Sequence, residues 1–169
     1  MSRLRFLAPL LAAVVIPATA MVLAHRLDAA PPPSTGTVVR VVDGDTVYVR
    51  AGSRSFDVRL LGIDTPETVD PHRPVGCYGP EASAYTKHLL TARRVRLVYD
   101  RERRDRYGRW LAYVYLLRDG RPALFVNALL VRAGYARTLS IPPNTVHASE
   151  LAGLEREAAL AGRGLWSAC

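Results

Sequence analysis

Apolar and polar residues alternate with a period of two over residues 37–42, 46–50 and 55–63, which predicts three strands. Asp43-Gly44 and Ala51-Gly52-Ser53 interrupt the alternation and supply turns, so the three strands read as a meander. The period then lengthens. Pro80-Glu81 opens a helix through about Leu90, with Ala82, Tyr85 and Leu89 on one stripe. Residues 94–100 and 109–117 return to strand, divided by a connection rich in Arg and Asp, and Asp119-Gly120 ends the second of them. Residues 123–133 predict a helix closed by Gly134, residues 140–144 an irregular loop, and residues 150–161 a terminal helix capped near Gly162.

This order makes an α+β domain. Five strands with a helix after the third predict a small Greek-key barrel of the oligonucleotide-binding (OB) type. Ahead of it lies a different composition. Arg3 and Arg5 precede an uncharged, mostly apolar run from Phe6 to Ala24, and Ala18-Thr19-Ala20 offers a small-x-small cleavage pattern. Residues 1–28 are therefore expected to be a cleaved signal peptide or a signal anchor, and the following domain to lie outside the cytoplasm, secreted or held at the membrane only by that segment. The Pro-rich residues 29–36 read as an extended linker, leaving residues 37–169 as one domain, by default monomeric.

The formal net charge is +8; the four charged residues before Ala29 contribute +2 of it, leaving the domain at +6. Lys87 is the only lysine. An arginine-rich basic surface suits polyanionic partners and phosphate pairing. There are two cysteines, Cys77 in a loop and Cys169 at the end of the chain. In an oxidising compartment they are expected to form a disulfide rather than remain free. No Cys or His spacing matches a zinc site, and His72, His88 and His147 have no triad partner at informative spacing.

The chemistry concentrates in three clusters. Arg59 lies within a hydrophobic strand, where its charge requires an anion, either a structural carboxylate or a bound phosphate. Asp64 and Glu67 sit on the turn that ends this strand, and Pro66 stiffens the backbone beneath the glutamate. Upstream is Asp43-Gly44-Asp45-Thr46, in which Asp43 reads as a turn former. Downstream is Asp105-Arg106-Tyr107-Gly108-Arg109. Two carboxylates with backbone carbonyls form a hard-oxygen set suited to calcium or magnesium. Two guanidiniums can neutralise a pentacoordinate phosphorane. Arg109 could instead pair with Asp105, while Arg101, Arg103, Arg104 and Arg106 read as a solvated basic rim. Trp110 and Trp166 read as packing residues.

Taken together these motifs, with Tyr78-Gly79-Pro80-Glu81-Ala82 and Gly164-Leu165-Trp166-Ser167, resemble the thermonuclease (staphylococcal nuclease) family from about Val38 to Ser167. The resemblance implies an OB barrel with three helices and a calcium-dependent nuclease that cuts DNA and RNA, favours single strands and leaves 3′-phosphate ends. It places calcium ligands on Asp45, Asp64 and the carbonyl of Thr65, a general base or water-orienting group on Glu67, phosphate-binding arginines on Arg59 and Arg109, and the active-site tyrosine on Tyr107. The family's loop tyrosines align near Thr138 and Ser140, and the loop Val69-Asp70-Pro71-His72-Arg73 departs from the family pattern, so substrate range is expected to differ. The competing expectation is a non-catalytic OB module that binds nucleic acid or a peptide.

Overall fold

The computed structural model describes residues 33–169; the expected signal segment and the first half of the linker lie outside the described residues. Alternating burial in strands β1 (Thr35–Asp43), β2 (Thr46–Ala51) and β3 (Arg54–Leu60) sends Val38, Val41, Val47, Val49, Val58 and Leu60 into one core. Strand β1 begins two residues inside the stretch that composition assigned to the linker. These strands form the expected antiparallel meander. Strands β5 (Arg94–Val98) and β6 (Trp110–Arg118) extend it through β1, and β6 pairs in parallel with β3 at Val58↔Trp110. That last pairing closes a five-stranded barrel in the order β3-β2-β1-β5-β6. This is the OB architecture expected from the sequence.

Helix α1 (Gly79–Leu90) carries Pro80 in its first turn and packs against β1, with Thr86 Oγ1 donating to Gly44 O at 2.8 Å. Helices α2 (Val126–Arg132) and α3 (Ala148–Leu160) pack on each other, and a single turn α4 (Leu165–Ala168) ends the chain.

Three local differences from the sequence reading bear on the site. The strand expected over residues 55–63 breaks at Leu61. Gly62 has φ +76°, and a Cβ there would meet Leu151 Cδ1 at 2.6 Å, so only glycine fits. Beyond the break, β4 (Gly62–Asp64) pairs with β8 (Arg137–Leu139), a three-residue strand too short to show periodicity. Asn127 secures the break: buried on α2, it donates from Nδ2 to Leu61 O at 2.8 Å and accepts from Val114 N at 2.9 Å. Lastly, the helix expected over residues 123–133 begins as strand β7 (Arg121–Phe125), because the Asp119-Gly120 turn returns the chain onto β6 before helix can start.

Candidate active site

The turn between β1 and β2 brings two carboxylates to one end of the barrel. Asp43 and Asp45 flank Gly44, whose missing side chain is a packing requirement: a Cβ there would lie 2.7 Å from Thr65 Oγ1. Thr65 can therefore close on Asp45, donating to its Oδ2 from the backbone N at 2.7 Å and from Oγ1 at 3.0 Å. Thr46 Oγ1 donates to the other oxygen at 3.1 Å. The Asp45 side chain is 7% exposed and that of Asp64 is 57% exposed.

Both carboxylates turn toward Arg59. Its Nη1 lies 3.1 Å from Asp45 Oδ2, and its Nη2 donates to Asp64 Oδ1 at 2.7 Å. Nη1 also donates to Ile63 O at 2.9 Å and to Leu60 O at 3.2 Å, on either side of the strand break. The anion that this half-buried guanidinium requires is thus supplied first by the protein. Of its five N–H groups, the one on Nε and one of the two on Nη2 have no hydrogen-bond partner among the described residues and remain for a ligand.

Glu67 follows in a tight loop. Its Oε1 accepts from the amides of Thr68, Val69 and Asp70 at 2.9, 2.8 and 3.1 Å, and Oε2 accepts from no amide among the described residues. The Val69 amide above all, with those of Asp70 and Thr68 and the Asp43 carboxyl, holds the Glu67 carboxyl below its usual range against a partial desolvation. Asp43 moves the other way. Burial pushes its carboxyl up, and the charges of Asp45 and Glu67 add to that, although Thr68 Oγ1 at 2.6 Å and the Gly44 amide at 2.7 Å oppose it.

The opposite wall is the connection before β6. Asp105 Oδ1 accepts from the amides of Tyr107 and Arg109 at 2.9 and 3.0 Å, and Gly108, at φ +80°, completes the turn. Asp105 Oδ2 then accepts from Arg109 Nε at 2.6 Å. The pairing expected as the alternative for Arg109 is present, and it aims the guanidinium while leaving both Nη groups without a hydrogen-bond partner among the described residues. The Tyr107 ring lies 5.3 Å from the Arg109 guanidinium and is largely exposed.

The two walls enclose a cavity of about 350 Å³ lined by Asp43, Asp45, Arg59, Asp64, Thr65, Glu67, Tyr107 and Arg109. Every ionic residue to which the resemblance gives a metal or catalytic role faces it, and so does Asp43. Arg73 joins the lining and Thr68 binds Asp43; neither carries a recognisable signal in the sequence. A second cavity of about 530 Å³ shares Arg59, Tyr107 and Arg109 and continues onto Leu111, Leu139 and Ile141. Where the resemblance sets loop tyrosines near Thr138 and Ser140, this chain has aliphatic walls: Thr138 instead binds Glu155 through its amide and hydroxyl. Among the described residues no three His, Cys, Asp or Glu side chains converge on one point. A cation here would draw on Asp45, Asp64, the Thr65 carbonyl and solvent. That donor set is entirely hard oxygen, and the two carboxylates already share one positive group, the Arg59 guanidinium. The set fits calcium.

Behind the Thr65 turn, Cys77 and Cys169 are disulfide-bonded with Cα atoms 6.0 Å apart, and both line a small cavity with Asp64, Thr65 and Pro66. The bridge ties the end of the chain to the loop that carries the acidic wall.

Comparison with known proteins agrees with this geometry. The staphylococcal nuclease homologue family matches residues 57–168. The thermonuclease of Staphylococcus hyicus is 41% identical over 133 residues, covering 79% of this chain and 76% of that protein. The thermonuclease of Staphylococcus intermedius is 43% identical over 129 residues, covering 76% and 74%. Endonuclease YncB of Bacillus subtilis is 38% identical over 133 residues, covering 78% and 61%. Since the matched span holds the β6 closure, every helix among the described residues and the cavity residues from Arg59 to Arg109, the chain belongs to the staphylococcal nuclease family and is a nuclease hydrolase.

Proposed function

We propose that the protein is a calcium-dependent nuclease, exported from the cytoplasm, that hydrolyses DNA and RNA, favours single strands and leaves 3′-phosphate ends. What carries this reading is the 350 Å³ cavity, in which carboxylate oxygens, two arginines and one free carboxylate oxygen of Glu67 face a common space. Asp45, Asp64 and the Thr65 carbonyl would hold the metal, and a bound calcium ion supplies charge neutralisation at the phosphate.

The residues of the chain do the rest. Arg59, through Nε–H, and Arg109, through its two Nη groups, take the non-bridging oxygens of the scissile phosphate from two sides. They oppose the charge that builds as phosphorus becomes pentacoordinate. Glu67, fixed by three amides through Oε1, presents Oε2 to a water. Ionised throughout the neutral range, it is a weak base but a well-placed one. It orients the water in line with the leaving 5′ oxygen and accepts its proton as the new P–O bond forms. The P–O5′ bond breaks, the 5′ oxygen is protonated by solvent, and the phosphate stays on the 3′ side. The adjoining nucleoside lies in the 530 Å³ cavity against Leu139 and Ile141, without an aromatic stack from the 138–141 loop.

The apolar N-terminal run and the disulfide support export, since such bridges persist in oxidising compartments. Single-stranded DNA incubated with calcium should be digested to 3′-phosphate products, and chelation should stop the reaction. Salt-sensitive binding with no turnover under any divalent cation would replace the nuclease by a binding module.

A further inference from the structure

We infer that Arg54, Arg103 and Arg104 form a second binding tract, outside the catalytic cavity, for the sugar–phosphate backbone of the same single-stranded substrate several nucleotides from the cleaved bond. This rests on the nuclease reading above. The first observation is charge without partners. Residues 101–109 contain five arginines, yet among the described residues only Arg109 pairs with a carboxylate. Arg54 and the other four make no ion pair. The nearby acids are committed or face elsewhere: Asp100 accepts from Tyr113 Oη and Val146 N, and Glu102 lines the 530 Å³ cavity.

The second observation is that this basic segment is held in place, unlike an ordinary solvated loop. Asn144 clamps the Glu102 backbone in both directions, accepting from its N at 2.8 Å and donating to its O at 2.8 Å. Leu111 N donates to Arg103 O at 2.9 Å, and Arg104 bridges to Trp110. The Arg104 guanidinium lies 4.0 Å from the Trp110 ring centroid and donates to Gly108 O at 2.9 Å. Side-chain entropy that a ligand would otherwise have to remove is already spent.

The third observation is position. Arg54 opens β3 and Arg59 lies near the other end of it, so the two are separated by about 17 Å of strand. The parallel β3–β6 seam brings that end of β3 beside the basic segment, over the aromatic group Phe56, Tyr99 and Trp110. Burial pushes the Tyr99 hydroxyl up to about 12, and the positive charges of Arg103, Arg54 and Arg104 all oppose it, so the three lie within electrostatic reach of that hydroxyl. Planar guanidiniums pair readily with phosphate oxygens. The separation from Arg59 falls within the reach of the about 4–16 nucleotides that an OB fold commonly covers.

The test compares a dinucleotide, which reaches only the catalytic cavity, with a single strand longer than about 16 nucleotides. In R54Q/R103Q the ratio of kcat/KM for the long substrate to that for the dinucleotide should fall about fivefold or more. The slope of log affinity against log salt for the labelled long strand, read by fluorescence anisotropy, should shrink by about 1.4 for two lost phosphate contacts. R54K/R103K should restore most of both. R94Q/R96Q, which removes equal charge from the outer face of β5, should leave both near wild type. A wild-type slope and ratio in R54Q/R103Q, or an equal loss in R94Q/R96Q, overturns the tract. Binding is read without turnover, so a wild-type protein that binds the long strand through these arginines but cuts nothing supports the tract and overturns the nuclease reading alone.

Discussion

The two walls of the catalytic cavity are built differently. On the acidic wall each carboxylate is already held through at least one of its oxygens. Asp45 receives Thr65 and Thr46, Asp43 receives Thr68 and Gly44, and Glu67 receives three consecutive amides. On the basic wall Arg109 is tethered through Nε alone, and Tyr107 is 68% exposed with only Arg106 donating to its hydroxyl. One wall is thus pre-organised before substrate arrives, whereas the other keeps its donors free and takes its final geometry from the phosphate. Arg59 belongs to both: the carboxylates immobilise it, and its Nε remains open. The difference suits the chemistry, because a cation site and a water-orienting group lose most from imprecision, while phosphate donors must first admit a chain.

The strongest way to break this comparison is to empty the basic wall. Arg109→Ala should reduce kcat/KM on single-stranded DNA by about 10³-fold or more, since it removes donors to the charge of the transition state. Thermal stability should fall little, because the surface pair with Asp105 is worth little. Arg109→Lys should recover only part of the rate, as an ammonium group cannot present two parallel donors. Steady-state kinetics beside a melting curve check both. A comparable loss of stability would show that the basic wall is structural, and the contrast between the walls would fail.

The acidic wall should respond first in stability. The Cys77–Cys169 bridge spans 92 residues, so its reduction should cost about 4–5 kcal/mol in the chain-entropy account and lower Tm by about 10–20 °C. Because the bridge lies behind Asp64 and Thr65, the reduced protein should also need more calcium for half-maximal rate at temperatures where it remains folded. Melting with and without reductant, followed by calcium titration, reads both effects.

The asymmetry also governs what the sequence disclosed. Arg59 was legible because a charge inside a hydrophobic strand is costly without an anion, whereas Asp45, Asp64, Glu67 and Arg109 each have an ordinary turn or surface role and stood out only in combination, through the family resemblance. Their convergence followed from a strand pattern that predicts a barrel closing one end. Asp43 read as a turn former, because Asp-Gly is a turn signal wherever it occurs; its burial against Thr68 depends on a contact 25 residues away. The break at Leu61 was hidden for a similar reason. Alternation continues smoothly through residues 55–63, and the interruption depends on Asn127 reaching across from a helix. Strand β7 lost to helix in the reading because its apolar part, Ala123-Leu124-Phe125, is too short to show either period and runs straight into the helix.

A smaller rate effect should separate orientation from basicity on the acidic wall. Glu67→Gln keeps the shape and can still accept from the amides, so kcat should fall by about 10²–10³-fold rather than to background. With its folded pKa depressed, Glu67 contributes stability that is present above its unfolded value and is lost as pH falls through the folded one. Asp43, with its folded pKa raised, has the opposite sign: its contribution is present below its unfolded value and is lost as pH rises through the folded one. In the metal-free protein, Glu67→Gln should therefore flatten the acid limb of the stability profile below the ordinary glutamate range, and Asp43→Asn should raise stability at neutral pH relative to mildly acid pH. Urea titrations across pH measure both. If the two variants shift the profile in the same direction, the amide cradle does not control Glu67.

The smallest effect tests the open wall at its most exposed point. Tyr107 contacts solvent over most of its ring and lines both cavities, so Tyr107→Ala should change stability by no more than about 0.5 kcal/mol. What it removes is a surface for the nucleoside and a ring beside Arg109, together worth about 1–2 kcal/mol in binding. KM for single-stranded DNA should therefore rise by about 5- to 30-fold with kcat nearly constant, because the lost contact acts on ground and transition states alike. Tyr107→Phe should keep most of the affinity, since the hydroxyl binds only Arg106. A fall in kcat at unchanged KM would instead place Tyr107 in the transition state, and the basic wall would then be as pre-organised as the acidic one.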